Sequence, residues 1–258
     1  MNRPDTTTTS EIFVKEVFSA IQGEGALVGE RQVFVRLAGC NIRCSYCDQP
    51  EALEKVPGRC RIERSPGKRD WKMWDSPLEI SRLVDAADSL WRTLPHHSLS
   101  LTGGEPLFQG SRLESLLPEL VGRGHRVMLE TNGTLSSELE RLVDHVDYIS
   151  MDIKLTSVDG QGVQLDKHRR FLEIASSRRA FVKIVLGPST DLEELAEALR
   201  MVESVSSELE VFLQPVTPFA AVVAAPSPQQ VLALHAQALR IHRRTRVVPQ
   251  THKLIGQL

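Results

Sequence analysis

The 258-residue chain has only four cysteines, three of them in a single run, a distribution that does not make a disulfide framework. It lacks an excess of either charge: 31 Lys and Arg stand against 33 Asp and Glu, a net of −2 at pH 7, so no global field draws it to nucleic acid or to an anionic membrane. No apolar run reaches the length of a signal-peptide core or a membrane span. These absences lead us to expect a cytoplasmic protein, with the polar, Thr-rich stretch 1–10 as a disordered lead-in to one domain over 11–258. What is present suits that reading. A hydrophobic share of 41% and a charged share of 25% belong to an ordinary globular chain, and this length is commonly a single α/β domain.

The run is Cys40, Cys44 and Cys47, spaced C-x3-C-x2-C behind the apolar stretch 33–38. Three thiolates this close can turn onto one metal centre. A closed iron–sulfur cubane uses four cysteines, so a cluster held by three leaves one iron open to a substrate or cofactor. A structural zinc ion wants four Cys or His ligands, and neither a His nor a fourth Cys lies within ten residues of the loop. Cys60 falls in a charged segment expected to be exposed. A zinc-stabilised binding module without catalysis remains the alternative from another class.

Hydrophobic periodicity organises the rest. A strand over 11–22 ends in Gln22-Gly23-Glu24-Gly25, whose glycines permit either a ligand-wrapping turn or a plain hairpin. The stretch 51–75 is rich in Lys, Arg, Pro and Gly and is expected to be an irregular insertion, with Trp71 and Trp74 packing it down. From there, helices over 78–94, 112–123, 136–146, 167–176, 192–205 and 229–242 alternate with strands over 98–101, 127–130, 148–153, 181–186, 211–214 and 246–248. Thr190 or Asp191 would cap the fifth of these helices. Strict alternation with short connections means βαβ crossovers and a parallel sheet. In such folds sites form at the C-terminal strand ends, where the cysteine loop, Thr102-Gly103-Gly104-Glu105-Pro106, Glu130-Thr131-Asn132-Gly133, Asp152-Ile153-Lys154 and Gln214-Pro215-Val216-Thr217 all fall.

The cysteine loop resembles the signature of radical S-adenosylmethionine (SAM) enzymes. Phe18-Ser-Ala-Ile-Gln-Gly-Glu-Gly25, Phe34-Val-Arg-Leu-Ala-Gly-Cys40, Cys47-Asp48 and the tail Pro249-Gln-Thr-His-Lys-Leu-Ile-Gly256 are similar to the 7-carboxy-7-deazaguanine synthase family within that superfamily. The resemblance covers nearly the whole chain. It implies an incomplete (β/α)6-type barrel with a parallel sheet and a [4Fe-4S] cluster on Cys40, Cys44 and Cys47. It also implies SAM bound by Tyr46, Cys47, Asp48, Gly104, Ser150, Asp152, Lys154, Gln214, Pro215, Val216 and Thr217. A small pterin substrate would be met by Ile21, Gln22, Gly23, Arg36, Thr102 and His252, with Arg36 on its carboxylate. Arg36 could instead be a surface salt bridge, Lys154 a solvated strand end and His252 a solvent-facing tail residue.

The implied reaction converts 6-carboxy-5,6,7,8-tetrahydropterin to 7-carboxy-7-deazaguanine with loss of ammonia, in queuosine or deazapurine biosynthesis. A homodimer and a flavodoxin- or ferredoxin-type reductant are implied with it. The family pattern has Thr after the Cys-Asp pair as a Mg2+ ligand; here Gln49 stands there, which puts the magnesium in question. Ser150-Met-Asp-Ile-Lys154 departs from the family's more usual Ser-Pro-Lys, and its Asp-x-Lys form is also seen in glycyl-radical activating enzymes, the competing reading.

Overall fold

The computed structural model describes residues 10–160, 162, 164–218 and 224–257, so the expected lead-in lies outside the described residues except for Ser10. In chain order the elements are β1 (Glu11–Ile12), β2 (Val14–Ile21), β3 (Arg31–Leu37), β4 (Arg59–Glu63), β5 (Trp71–Asp75), β6 (Leu78–Glu79), α1 (Ile80–Thr93), β7 (Ser98–Gly103) and α2 (Gly110–Gly122). They continue as β8 (Val127–Thr131), α3 (Ser136–Leu142), β9 (Tyr148–Ile153), α4 (Thr156–Asp159), α5 (Leu165–Ala175), β10 (Arg179–Leu186) and α6 (Leu192–Val205). β11 (Glu210–Pro215), α7 (Pro228–Ile241), β12 (Thr245–Val247) and α8 (Thr251–Leu254) complete the chain.

Ten strands form one sheet in the order β12-β11-β10-β9-β8-β7-β3-β2-β4-β5. β3 and β7 through β12 run parallel, and β2 is antiparallel to β3. The fold is therefore α/β with a mostly parallel sheet. Its edge strands β12 and β5 do not pair with each other among the described residues, so the barrel is incomplete. The sheet curls all the same. The turn after β2 reaches across to β10, where a Cβ on Gly25 (φ +62°) would stand 2.2 Å from the Phe181 ring.

Strand alternation explains what the curl encloses. One set of side chains, including Leu99, Leu101, Leu129, Ile149, Val182 and Leu213, joins the helices in the main apolar core. Each fully buried Leu there stabilises the fold by roughly 1.5–3 kcal/mol. The alternate set faces inward and is layered. Met128, Tyr148, Phe181 and Phe212 plug the end at which the parallel strands begin. Above them come Ser100, Glu130, Ser150, Lys183 and Gln214, polar groups that a solid core would not tolerate. A polar inner layer above an aromatic floor is the lining of a cavity.

The stretch 51–75 is not irregular. After a 3-10 turn at Pro50–Leu53, β4 and β5 pair antiparallel, and β4 extends the sheet by pairing parallel with β2. Alternation is the cause: Cys60 and Ile62 point into the core, while Arg61 lies over the Trp71 ring at 4.7 Å and pairs with Glu16 at 2.5 Å. Cys60 is accordingly buried, not exposed as expected. Trp71 packs edge-on against Phe18 and Trp74 against the main core, the packing role foreseen for both. α6 is capped by Asp191, whose carboxylate accepts from the Glu194 N–H at 2.9 Å.

Candidate active site at the strand ends

The C-terminal strand ends open on one cavity of about 1300 Å³ counted to its mouth. Its wall takes in Cys40, Cys44 and Cys47, then Ile21, Gln22, Gly23, Arg36, Gln49, Thr102 and His252. From the expected cofactor set it takes in Tyr46, Asp48, Gly104, Asp152, Lys154, Gln214, Val216 and Thr217. Two expected residues stay out of it. Ser150 lies one pleat below Asp152 and is buried within β9, and Pro215 falls on the opposite side of β11 from Gln214.

The cysteine loop is held from outside. Ser45 N–H donates to Asp159 Oδ1 at 3.0 Å and its hydroxyl to the Val158 carbonyl at 3.2 Å, so α4, which periodicity did not foresee, props the loop. Gly104 packs against it so closely that a Cβ there would stand 2.2 Å from the Gly39 carbonyl oxygen and 2.9 Å from Cys40 Cβ. Burial pushes the Cys40 thiol up and the Cys44 thiol to about 12. Thiolates at such positions need a cation beside them.

Among the described residues no three Cys, His, Asp or Glu converge as ligands of a single ion. A cluster asks for something else, since each cysteine takes a different iron and the donors stand around a volume. Beside the loop, Lys154 Nζ lies 5.4 Å from the Tyr46 ring centre and 3.2 Å from Asp152 Oδ2. Burial opposes the charge of Lys154, but Tyr46 and Asp152 outweigh it and keep the ammonium protonated. Lys154 is thus not a solvated strand end.

The facing wall comes from the turn after β2 and from β3, β7, β8 and β10. Gln22 Nε2 donates to Gln32 Oε1 at 2.9 Å and to Glu130 Oε1 at 3.1 Å, while the Ser100 hydroxyl donates to the same Glu130 oxygen at 2.7 Å. Burial raises the Glu130 pKa above the ordinary carboxylate range. Glu24 behaves oppositely. Burial would raise it, but its ion pair with Lys183 and a 2.8 Å hydrogen bond from Gln250 Nε2 carry it down to about 2.

Arg36 is both a salt bridge and a cavity residue: Nε donates to Glu16 Oε1 at 2.7 Å, and the guanidinium lies 5.7 Å from the Phe18 ring centre. The C-terminal tail closes this side. The Thr251 N–H donates to the Gly23 carbonyl at 3.0 Å, and a Cβ on Gly23 would stand 2.2 Å from His252 Nδ1, so only glycine lets His252 sit there. His252 is half-buried, and burial lowers its pKa. Asp48 is tied to Lys253 at 3.2 Å and Gln250 at 3.4 Å.

Sequence reasoning did not assign Glu24, Glu130, Lys183, Asn132, Gln250 or Lys253, all on the cavity wall. Lys183 carried the same signal as Arg36, a lone cation in an apolar strand. Glu130 and Asn132 belong to a strand-end motif whose residues alone point to no role.

Comparison with known proteins completes the picture. Residues 35–202 match the radical SAM superfamily. The chain is 44% identical over 248 residues to a 7-carboxy-7-deazaguanine synthase of Geobacter sulfurreducens, covering 95% of this chain and 97% of that protein. It is 33% identical to a synthase of the same name from Methanothermobacter thermautotrophicus, covering 94% and 96%. The crystal structure of QueE from Escherichia coli superposes with a TM-score of 0.61 at 19% identity over 94% of this chain and 95% of that one, a likeness of fold. Likeness of this extent decides against both the activating-enzyme and the zinc-module readings. A cavity walled by the three-cysteine loop on one side and by carboxylates and amides on the other, with relatives matched end to end, makes this chain a radical SAM superfamily member of the 7-carboxy-7-deazaguanine synthase family.

Proposed function

We propose that the chain converts 6-carboxy-5,6,7,8-tetrahydropterin to 7-carboxy-7-deazaguanine with release of ammonia, a carbon–nitrogen lyase reaction of 7-deazapurine biosynthesis. The observation that carries this reading is the meeting of two chemically unlike walls in one cavity. One wall fits the superfamily's cluster and SAM. Its buried Cys40 and Cys44 thiols need a cation, Gly104 lets its strand end pack directly against the cysteine loop, and the buried Tyr46 hydroxyl and Gln214 Oε1 have no hydrogen-bond partner among the described residues.

On that wall Cys40, Cys44 and Cys47 would hold a [4Fe-4S] cluster, and Tyr46, Asp48, Gly104, Asp152, Lys154, Gln214, Val216 and Thr217 would surround SAM. Ser150 would support Asp152 from below, and Pro215 would fix the bend after Gln214. Bound there, cluster and SAM supply a carbon radical able to take a hydrogen atom from an unactivated carbon; that chemistry is the cofactor's own.

The chain's contribution is placement. A pterin offers N–H donors along its amino-pyrimidinone edge, and the carboxylates of Glu24 and Glu130 are acceptors for them. Arg36 and Thr102 would take the carboxylate, while Ile21, Gln22, Gly23 and His252 would hold the ring. For magnesium the chain offers the Gln49 side-chain oxygen, with Asp48 committed to Lys253 and Gln250. Any such ion would complete its shell with the substrate carboxylate and water. A homodimer, a flavodoxin- or ferredoxin-type reductant and a cytoplasmic location belong to the same proposal; no helix among the described residues is long and apolar enough to cross a membrane.

The test is anaerobic reconstitution with iron and sulfide, followed by dithionite, SAM and carboxytetrahydropterin, with and without Mg2+, read by mass spectrometry. Carboxydeazaguanine is the expected product. Release of 5′-deoxyadenosine without it would mean a radical SAM enzyme with another substrate. In the same assay Gln49→Ala is expected to change the Mg2+ dependence; an unchanged dependence removes Gln49 from any metal site.

A further inference from the structure

Lys183 stands in the middle of β10, between the buried Val182 and Ile184, and is itself almost fully buried. An ammonium there is tolerated only with close counter-charges. Two are present, from separate parts of the chain. Glu24 reaches it from the turn after β2, and Asp152, its register partner on β9, lies 3.2 Å away through Oδ1. Each carboxylate uses its other oxygen elsewhere: Glu24 Oε1 accepts from Gln250 at 2.8 Å, and Asp152 Oδ2 pairs with Lys154 at 3.2 Å. A single chain of contacts, Gln250–Glu24–Lys183–Asp152–Lys154, therefore crosses the cavity floor from the wall read as the pterin side to the wall read as the SAM side.

We propose that Lys183 is a positioning residue for the reaction, the tie that fixes Glu24 against the pterin edge and Asp152 against SAM at a constant separation. The inference rests on the assignment of the cavity to those two ligands. Physical chemistry makes the tie specific. While ionised, both carboxylates offer acceptors alone to ligand N–H or O–H groups, whereas protonation would turn one oxygen of each into a donor, and Lys183 is the cation in contact with both. The other titratable groups near it are Glu130, whose carboxylate adds negative charge when ionised, and His252, which acts on Glu24 from the tail. Without Lys183, Glu24 would be a buried carboxyl beside a second carboxyl, and its proton affinity would rise toward neutrality.

The test compares wild type with Lys183→Met and Lys183→Arg in anaerobically reconstituted protein. Binding of 6-carboxypterin, an unreactive oxidised analogue, is measured by fluorescence from pH 5 to 8.5, SAM binding is measured alongside, and thermal unfolding is followed for each protein. Wild-type binding should show no titration of Glu24 in that range. In K183M, carboxypterin should bind about 10–100-fold more weakly near neutrality, because Glu24 is then left without its partner cation. Its affinity should recover as pH rises and Glu24 ionises, and adding Glu24→Gln should abolish that slope. K183R keeps the charge but lengthens the arm, so it should fold, bind several-fold more weakly and show no new slope; it carries the test if K183M does not fold. Wild-type affinity with a flat profile in either variant, whatever its melting temperature, overturns the proposal. Failure of wild type itself to bind carboxypterin, with SAM binding intact, overturns the pterin reading and this inference with it.

Discussion

The two walls of the cavity are opposite electrostatic solutions on one scaffold. On the Glu24 side the charges are already balanced by protein groups: Lys183 between Glu24 and Asp152, and amides from Gln22 and Gln250 completing the carboxylates. On the cysteine side burial raises the Cys40 and Cys44 thiols by more than the nearby Lys154 ammonium lowers them, so Cys44 holds its proton up to about 12. The first wall is organised before any ligand arrives, as suits recognition of an organic molecule by shape and hydrogen bonds. The second becomes a set of thiolates only together with a metal group. The difference teaches which residues should matter through charge within the protein and which through what they hold.

The largest effect should come from removing a donor on the cysteine side. Cys44→Ala is expected to lower product formation by at least about a thousand-fold, because the group that does the hard chemistry is lost. Iron and sulfide content should fall with it, while the unfolding temperature of the metal-free protein should hardly change. On the other wall the pattern should invert. Glu24→Gln leaves Lys183 with Asp152 as its remaining contact and should destabilise the metal-free protein by about 2–4 kcal/mol in urea unfolding, with cluster content intact.

A pH experiment sharpens the contrast. The Glu24 carboxyl sits at about 2 in the folded protein against an ordinary 4.5. A lowered carboxylate pKa stabilises the fold above the unfolded value, and that stability drains away as pH falls from 4.5 toward 2. The wild type should therefore lose roughly 3 kcal/mol over that interval relative to E24Q, at about 1.4 kcal/mol per unit.

The smallest effect should come from His168, buried under the Asn132 turn with Nε2 3.0 Å from the Asn132 carbonyl oxygen. Burial lowers its pKa to about 4, so the unfolded chain takes the proton first and stability falls as pH drops from 6.5 to 4. His168→Gln should flatten that limb in circular-dichroism melts by about 1–3 kcal/mol.

Much of this molecule was legible from its residues. The alternation of strands and helices from 78 onward gave the parallel sheet, and the clustering of unusual residues after each strand gave the mouth of the cavity. The cysteine spacing gave the chemistry. β4 escaped because its alternation spans five residues, Arg59–Glu63, and the positions alternating with the buried Cys60 and Ile62 are all charged, Arg59 and Arg61 facing outward and Glu63 itself buried, so charge masked the pattern. Glu24 and Lys183 escaped for another reason. They are far apart in sequence, and their meeting depends on how far the sheet curls, which no local pattern encodes. Ser150 shows the converse, since a motif fixes which strand a residue belongs to but not the depth at which its pleat points.

The measurement that tests the central claim most directly is a label transfer. Carboxytetrahydropterin deuterated at the carbon bearing the carboxylate is incubated with the reconstituted protein, dithionite and SAM, and deuterium is followed by mass spectrometry. If one cavity holds both ligands side by side, deuterium should appear in the 5′-deoxyadenosyl product or in returned SAM, and carboxydeazaguanine should form. Cleavage of SAM with no deuterium in the adenosyl group would contradict the account, because the pterin would then not be within reach of the group that the cysteine wall is built to hold.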